Sequence, residues 1–224
     1  MAQQRSLKNF YLGLGAVAVL GGGALVYMTQ RDGGPVVLPT GVLPVGMDSV
    51  PPAAYQIGSD TAPVVVDEFS DFECPYCMQM SILILPDIKR RYIETGLVRW
   101  RFNDFPIDTH LTAPLAHLAA ACAAEQNQFW SMHDAIYGGQ GQWVRGGARG
   151  LFEGYARRIG IDMNAWQTCM SDREPLTRIA QTVQRGQARG VSGTPTIFVN
   201  GQLVRLDRLS FDRLASAIEA ALPR

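Results

Sequence analysis

Hydrophobic positions along this chain switch between two periods. Ala62 to Phe69 (APVVVDEF) is a β-branched run that follows the turn signal Gly58-Ser59-Asp60, and it predicts a buried strand. Ser70 to Glu73 is the strand's exit. A helix is expected from Cys74 to about Glu94, kinked by Pro86 and ended by Gly96. Leu97 to Phe102 alternates and predicts a second strand. From His110 to Arg189 the period becomes helical, with an alanine-rich helix over Leu111–Gln126 and further helices over Phe129–Tyr137, Leu151–Ile159, Met163–Ser171 and Pro175–Arg189. A loop, Gly138 to Gly150, interrupts them. Thr194 to Val199 predicts a strand. Asn200-Gly201 is a type I′ hairpin signal leading into a strand over Gln202–Leu206. Ser210 is the expected N-cap of a closing amphipathic helix that runs to Leu222. The order is β-α-β, about 80 residues of helices, then β-β-α. It predicts an α/β sheet with a helical insertion over 110–189, framed by 54–109 and 190–224.

The N-terminus departs from this pattern. Phe10 to Met28 is an uncharged, mostly apolar stretch that as a helix would reach roughly 28 Å, the thickness of a bilayer core. Arg5 and Lys8 precede it, so the positive-inside rule puts residues 1–9 in the cytoplasm and the rest outside. Val26-Tyr27-Met28 is a poor cleavage site, which favours a single-pass signal anchor over a removed signal peptide. Both readings export the remainder to a periplasmic or extracellular space where disulfides persist. Residues 29–53 are rich in Gly and Pro and read as a linker, mobile rather than packed on the domain.

Composition narrows the function. Twenty basic and twenty acidic residues give zero net charge, with no basic run for nucleic acid. The four cysteines, Cys74, Cys77, Cys122 and Cys169, are too few for a disulfide-built scaffold. Cys74-Pro75-Tyr76-Cys77 stands where the strand gives way to the helix. A thiol at a helix N-terminus meets free N–H groups and the dipole, which favour its thiolate. The second thiol, one turn on, is close enough to attack a mixed disulfide. Cys74 is therefore the expected nucleophile and Cys77 the resolving thiol, with Pro75 suited to the first helical position. Half of a zinc site is the rival reading. No second C-x-x-C or H-x₃₋₅-H completes four ligands, so no metal is expected. Glu68, near the end of the first strand, is a candidate buried carboxylate that carries protons to and from Cys77, with Asp67 and Asp71 as neighbouring alternatives. Alternation puts Glu68 and Asp67 on opposite faces.

His110, His117 and His133 read as structural, with His110 and His117 able to share a face of the first inserted helix. Trp130, Trp143 and Trp166 read as core or domain-interface residues, and the glycine-rich loop around Trp143 as a border of a substrate groove. Its glycines lack the strand–loop–helix context of a nucleotide site, and no cofactor is required. Cys122 and Cys169 are either paired, as leftover thiols outside the cytoplasm usually are, or two buried free thiols.

Gly58 to Cys77 (GSDTAPVVVDEFSDFECPYC) closely resembles the opening of the DsbA-like thioredoxin-fold proteins. Gly190 to Gly201 (GVSGTPTIFVNG) resembles the same family's cis-proline segment, and Ala119 to Tyr137 its first inserted helices. Three blocks in the right order carry the resemblance over about Tyr55 to Leu222. It implies a thioredoxin-like fold with an inserted helical domain. It also implies a cis Pro195 that faces the dithiol, with Thr194 before it offering its backbone to an extended substrate peptide. A structural Cys122–Cys169 disulfide joining helices of the insertion is implied as well. The implied activity is an extracytoplasmic thiol:disulfide oxidoreductase that introduces disulfides into exported proteins and is recycled by a membrane redox partner of quinone-reductase type.

Reductase, isomerase and non-catalytic chaperone modules are the alternatives. Tyr76 stands where the most oxidising member carries His, which argues against a very oxidising potential. Thr194 resembles the residue of periplasmic isomerases, but those dimerise through a separate domain that 29–53 cannot supply, so a monomer is expected.

Overall fold

The structure is a computed structural model that describes residues 35–42, 55–205 and 210–223, together with Tyr11, Leu14, Gly15, Val17 and Gly21. The chain divides into two units, Met1–Pro35 and Val36–Arg224. In the first unit the five early positions are helical and exposed. The remainder of the 10–28 stretch, with the expected anchor, lies outside the described residues. Among the described residues no helix is long and apolar enough to cross a membrane.

In the second unit, five strands form one mixed sheet in the order β1-β3-β2-β4-β5: β1 Gln56–Ile57, β2 Val64–Ser70, β3 Val98–Asp104, β4 Thr196–Val199 and β5 Gln202–Val204. β2 and β3 run parallel; β1 is antiparallel to β3, and β4 is antiparallel to both β2 and β5. A parallel pair needs a long crossover, and helix α1 (75–93) supplies it. Val64, Val66, Val98, Trp100, Ile197 and Val199 fill one face of the sheet against Met80, Leu85 and Ile88 of α1 and Leu214 and Ile218 of α8 (Phe211–Ala221). Phe69, Phe105, Val191 and Phe198 cluster on the opposite face.

Pro86 lies inside α1 as expected, but the helix takes it up by widening. Met80–Ile84 is a π-helical turn in which Leu85 N–H reaches Met80 O, and a second π turn follows over Lys89–Ile93. A proline removes one N–H and crowds the preceding turn, and a wider turn relieves that crowding.

Between β3 and β4 stand six helices: α2 Ala113–Ala124, α3 Phe129–Gly138, α4 Gln140–Trp143, α5 Ala148–Arg158, α6 Met163–Cys169 and α7 Glu174–Ala188. α2 is buried on nearly every side, and its alanines let neighbours approach closely. Phe129, Met132, Ile136, Trp143, Phe152 and Trp166 pack around it. Cys122 of α2 and Cys169 at the end of α6 are bonded, with an S–S distance of 2.03 Å and a Cα–Cα distance of 5.6 Å.

Some expectations change. Val36 and Leu38, inside the expected mobile linker, pack against the helical cluster, because every second residue of this extended piece offers an apolar side chain to it. His110 precedes α2 instead of sharing a face with His117, since the helix starts only at Ala113. Trp143 is a core residue of its glycine-rich loop: it is fully buried, its Nε1 donates to Ile136 O at 2.8 Å, and its ring meets Phe152 edge-on. Ser210 occupies the N-cap position of α8 but makes no side-chain cap hydrogen bond.

Candidate active site

Cys74 sits at the N-cap of α1 with extended backbone angles, and Pro75 opens the helix. Both thiols are free and nearly inaccessible. They lie in the cluster that also holds Phe72, Phe102 and the helical insertion, at the seam of the two parts of the fold. Cys74 Sγ is 3.3 Å from Thr194 O, and the Thr194–Pro195 bond is cis. The Thr194 hydroxyl is buried with no hydrogen-bond partner, so it is free to turn to the sulfur as charge develops there.

The two thiols are held apart electrically. Cys74 is lowered from 9.0 to about 6, first by the hydrogen bond from Cys77 and against the cost of burial, with help from the Thr194 hydroxyl and the helix N–H groups of Cys77 and Tyr76. Cys77 is raised well above its ordinary value by burial and by the neighbouring Cys74 sulfur. Backbone donors and a thiol thus stabilise the Cys74 thiolate with no histidine in the dipeptide; the Tyr76 side chain is exposed.

Glu68 lies on the α1 face of β2, and Asp67 on the other, where Arg101 pairs with it at 2.7 Å and Arg189 at 3.3 Å. Glu68 is buried, opposite Phe102 on β3 and Ile197 on β4. Its carboxyl accepts from Ser70 Oγ at 2.8 Å and Trp100 Nε1 at 3.0 Å. Burial outweighs these two donors and pushes it up to about 7. Ser70 Oγ also lies 2.9 Å from Tyr137 OH.

Asp71 instead holds the loop before the dithiol. Its backbone N–H points at Cys77 Sγ (3.5 Å). Its carboxylate accepts from Glu73 N at 2.7 Å and Ile107 N at 2.8 Å, and lies 2.8 Å from His110 Nδ1. The insertion grips the same loop. His117 takes Phe72 N–H on Nε2 at 3.4 Å while its Nδ1 meets Asp104 at 2.5 Å. Gln140 Nε2 donates to Phe72 O at 2.7 Å and Cys74 O at 3.1 Å.

Sequence reasoning missed Ser70, Tyr137 and Gln140. For Ser70 a signal existed: it shares a strand face with Glu68. Gln140 sits in a stretch where glycines hide a short helix.

A dithiol at a helix N-terminus, split into an acidic and a buried thiol beside a cis-proline on a mixed sheet, defines the class of thioredoxin-fold redox proteins. The comparisons agree. The chain matches the thioredoxin family over residues 51–220. It is 31% identical over 176 residues, 75% of this chain and 78% of the relative, to a Bacillus anthracis protein named "Probable disulfide bond formation protein D". It is 39% identical over 146 residues to the Na(+)/H(+) antiporter NhaA 3 of Salinispora tropica; that match covers 65% of this chain and only 21% of the antiporter, so it spans about a fifth of that relative. The crystal structure of oxidised BdbD from Bacillus subtilis superposes with a TM-score of 0.67 at 24% identity, covering 75% of this chain and 91% of that one. The chain belongs to the thioredoxin family, among its DsbA-like thiol:disulfide oxidoreductases.

Proposed function

We propose that the protein is an extracytoplasmic disulfide donor for exported proteins. In the donating step a substrate thiolate attacks Cys74, Cys77 leaves, and a second substrate thiol releases Cys74. The substrate's two thiols are oxidised to a disulfide, and the protein's disulfide is reduced to a dithiol. The observation that carries this reading is the Cys74 thiol, lowered to about 6 beside a Cys77 raised well above its ordinary value. Stabilising the thiolate stabilises the reduced form, which makes the disulfide the better oxidant. Glu68, raised to about 7, is suited to return a proton to Cys77 as it leaves. Thr194, beside Cys74, would offer its backbone to an extended substrate peptide.

The apolar stretch 10–28 would tether the domain as a single-pass anchor, with a removed signal peptide as the other route to the same compartment. In the membrane, a quinone-reductase-type protein would reoxidise the dithiol. A monomer suffices, because all the groups named come from one chain.

Trapping tests the reading. The reduced Cys77→Ser variant, mixed with a disulfide-bonded peptide, is expected to accumulate a Cys74 mixed disulfide visible on a non-reducing gel, because the Cys74 thiolate displaces one peptide sulfur and no second thiol follows to resolve the bond. The Cys74→Ser variant is expected to trap none. Equal behaviour of the two variants would contradict the assignment of the nucleophile.

A further inference from the structure

We propose that Gln140, from the helical insertion, is a positioning residue for the exchange reaction: it fixes Cys74 at the N-terminus of α1 and so sets how stable the reacting sulfur is as a thiolate. The proposal rests on the oxidoreductase reading above, with Cys74 as nucleophile, and holds for either direction of electron flow.

A cysteine gains from a helix N-terminus only while its sulfur stays beside the free N–H groups of the first turn. Cys74 stands there as the N-cap, yet it makes no side-chain cap hydrogen bond. Its sulfur is bonded across the site instead, to Thr194 O at 3.3 Å. The backbone has to hold the position. Cys74 N–H donates to Asp71 O at 3.1 Å, and Cys74 O accepts from Met78 N at 3.1 Å. Both bonds lie within the loop and the helix and move with them. Gln140 supplies a bond from outside. Its Nε2 donates to Cys74 O at 3.1 Å and to Phe72 O at 2.7 Å, so one amide, with two protons to give, serves the two carbonyls that flank Glu73.

The surroundings suit this role. Gln140 is 6% exposed, so bulk water does not compete for the two carbonyls. Trp143, three residues on and on the same side of α4, is fully buried and donates to Ile136 O at 2.8 Å, which anchors the short helix. Gly139 brings α4 in close: a Cβ there would lie 1.8 Å from Tyr155 OH. Other residues of the insertion hold the neighbours of Cys74. His117 bonds Phe72 N, Tyr137 bonds Asp71 O, and Thr112 N bonds the Glu73 carboxylate. Among the described residues of the insertion, Gln140 is the one that bonds Cys74 itself. The titratable groups around the thiol are Cys77 on α1, Glu73 and Asp71 on the loop, His110 beside Asp71, and His117 with Asp104 behind Phe72. Replacing Gln140 removes none of them, so its effect on the sulfur is carried by the backbone.

The test uses the full chain with Gln140→Met, which keeps the length and removes both donors, and Gln140→Asn, whose amide sits one methylene short of the two carbonyls. Two quantities are read. One is the ultraviolet thiolate absorbance of the reduced protein against pH, assigned to Cys74 by its loss in Cys74→Ser. The other is the equilibrium with glutathione, in which the Cys74–Cys77 disulfide takes up two electrons and two protons as two glutathione thiols become one disulfide. In Gln140→Met the Cys74 thiol is expected to ionise only at about 5-fold lower proton concentration, the size of a helix N-terminal effect. The equilibrium is expected to move toward the protein disulfide by a comparable factor. Gln140→Asn is expected to move both the same way and decides if Gln140→Met does not fold. A merely structural Gln140 would lower the Tm of the oxidised and reduced forms alike and leave both quantities at wild-type values, and that result in the deciding variant would overturn the proposal. In the wild type, the side-chain amide resonance of Gln140 is expected to follow the Cys74 titration; an amide indifferent to it would overturn the proposal even if neither variant folds. A wild-type protein that exchanges no disulfide with glutathione would overturn the oxidoreductase reading itself.

Discussion

Glu68 carries a carboxyl group on a strand face where Val66, two residues before it, is packed in the core. With no cation paired to it, the group is neutral more readily than charged. A rise from 4.5 to about 7 corresponds to about 3 kcal/mol. The folded-state value lies above the unfolded one, so the folded protein binds the extra proton between about pH 4.5 and 7. That stability is present at low pH and is lost as pH rises through the window. Glu68→Gln keeps the shape and removes the titration. Denaturant unfolding of the reduced protein is expected to show the variant gaining on the wild type by about 3 kcal/mol between pH 4.5 and pH 8; parallel pH profiles would contradict it. Alternation along APVVVDEF was enough to separate Glu68 from Asp67 in the sequence. It could not show that Asp67 is taken up by Arg101 and Arg189, because those partners come from a neighbouring strand and a distant helix.

At the scale of elements, strands and helices with strong periods were legible to within a few residues. β1 was not, since two residues at a sheet edge carry no period. α4 was not, because its four residues lie among glycines. The π turns of α1 were not, because a proline in a helical pattern foretells strain but not the way it is relieved. Close approach is equally silent in sequence. Gly186 of α7 reads as a weak helix position, yet a Cβ there would meet Phe105 at 2.8 Å and Phe69 at 2.9 Å. Helix propensity alone would make Gly186→Ala stabilising by up to about 1 kcal/mol. The two rings decide otherwise: overpacking of about 1–3 kcal/mol is expected to win. Thermal unfolding of Gly186→Ala is expected to show a lower Tm than the wild type; a higher Tm would mean that the rings yield freely.

At the scale of the molecule, the insertion does more than decorate the sheet. Through His117 and Gln140 it holds the backbone of Phe72 and Cys74, and through Tyr137 it meets Ser70, which donates to the buried Glu68 carboxyl. The Cys122–Cys169 bond closes a separation of 47 residues within it, worth about 4 kcal/mol by chain entropy. Blocks of resemblance made the sheet and the dithiol legible. The grip depends on side chains that meet only after folding, which no local pattern announces.

The reduction potential of the Cys74–Cys77 pair, measured on the full chain by equilibration in glutathione buffers, tests the central claim most directly. A thiolate stabilised in the reduced form predicts a value clearly less negative than about −270 mV, with the oxidised protein less stable to denaturant than the reduced. A value near about −270 mV would contradict a disulfide donor and make the protein a reductase.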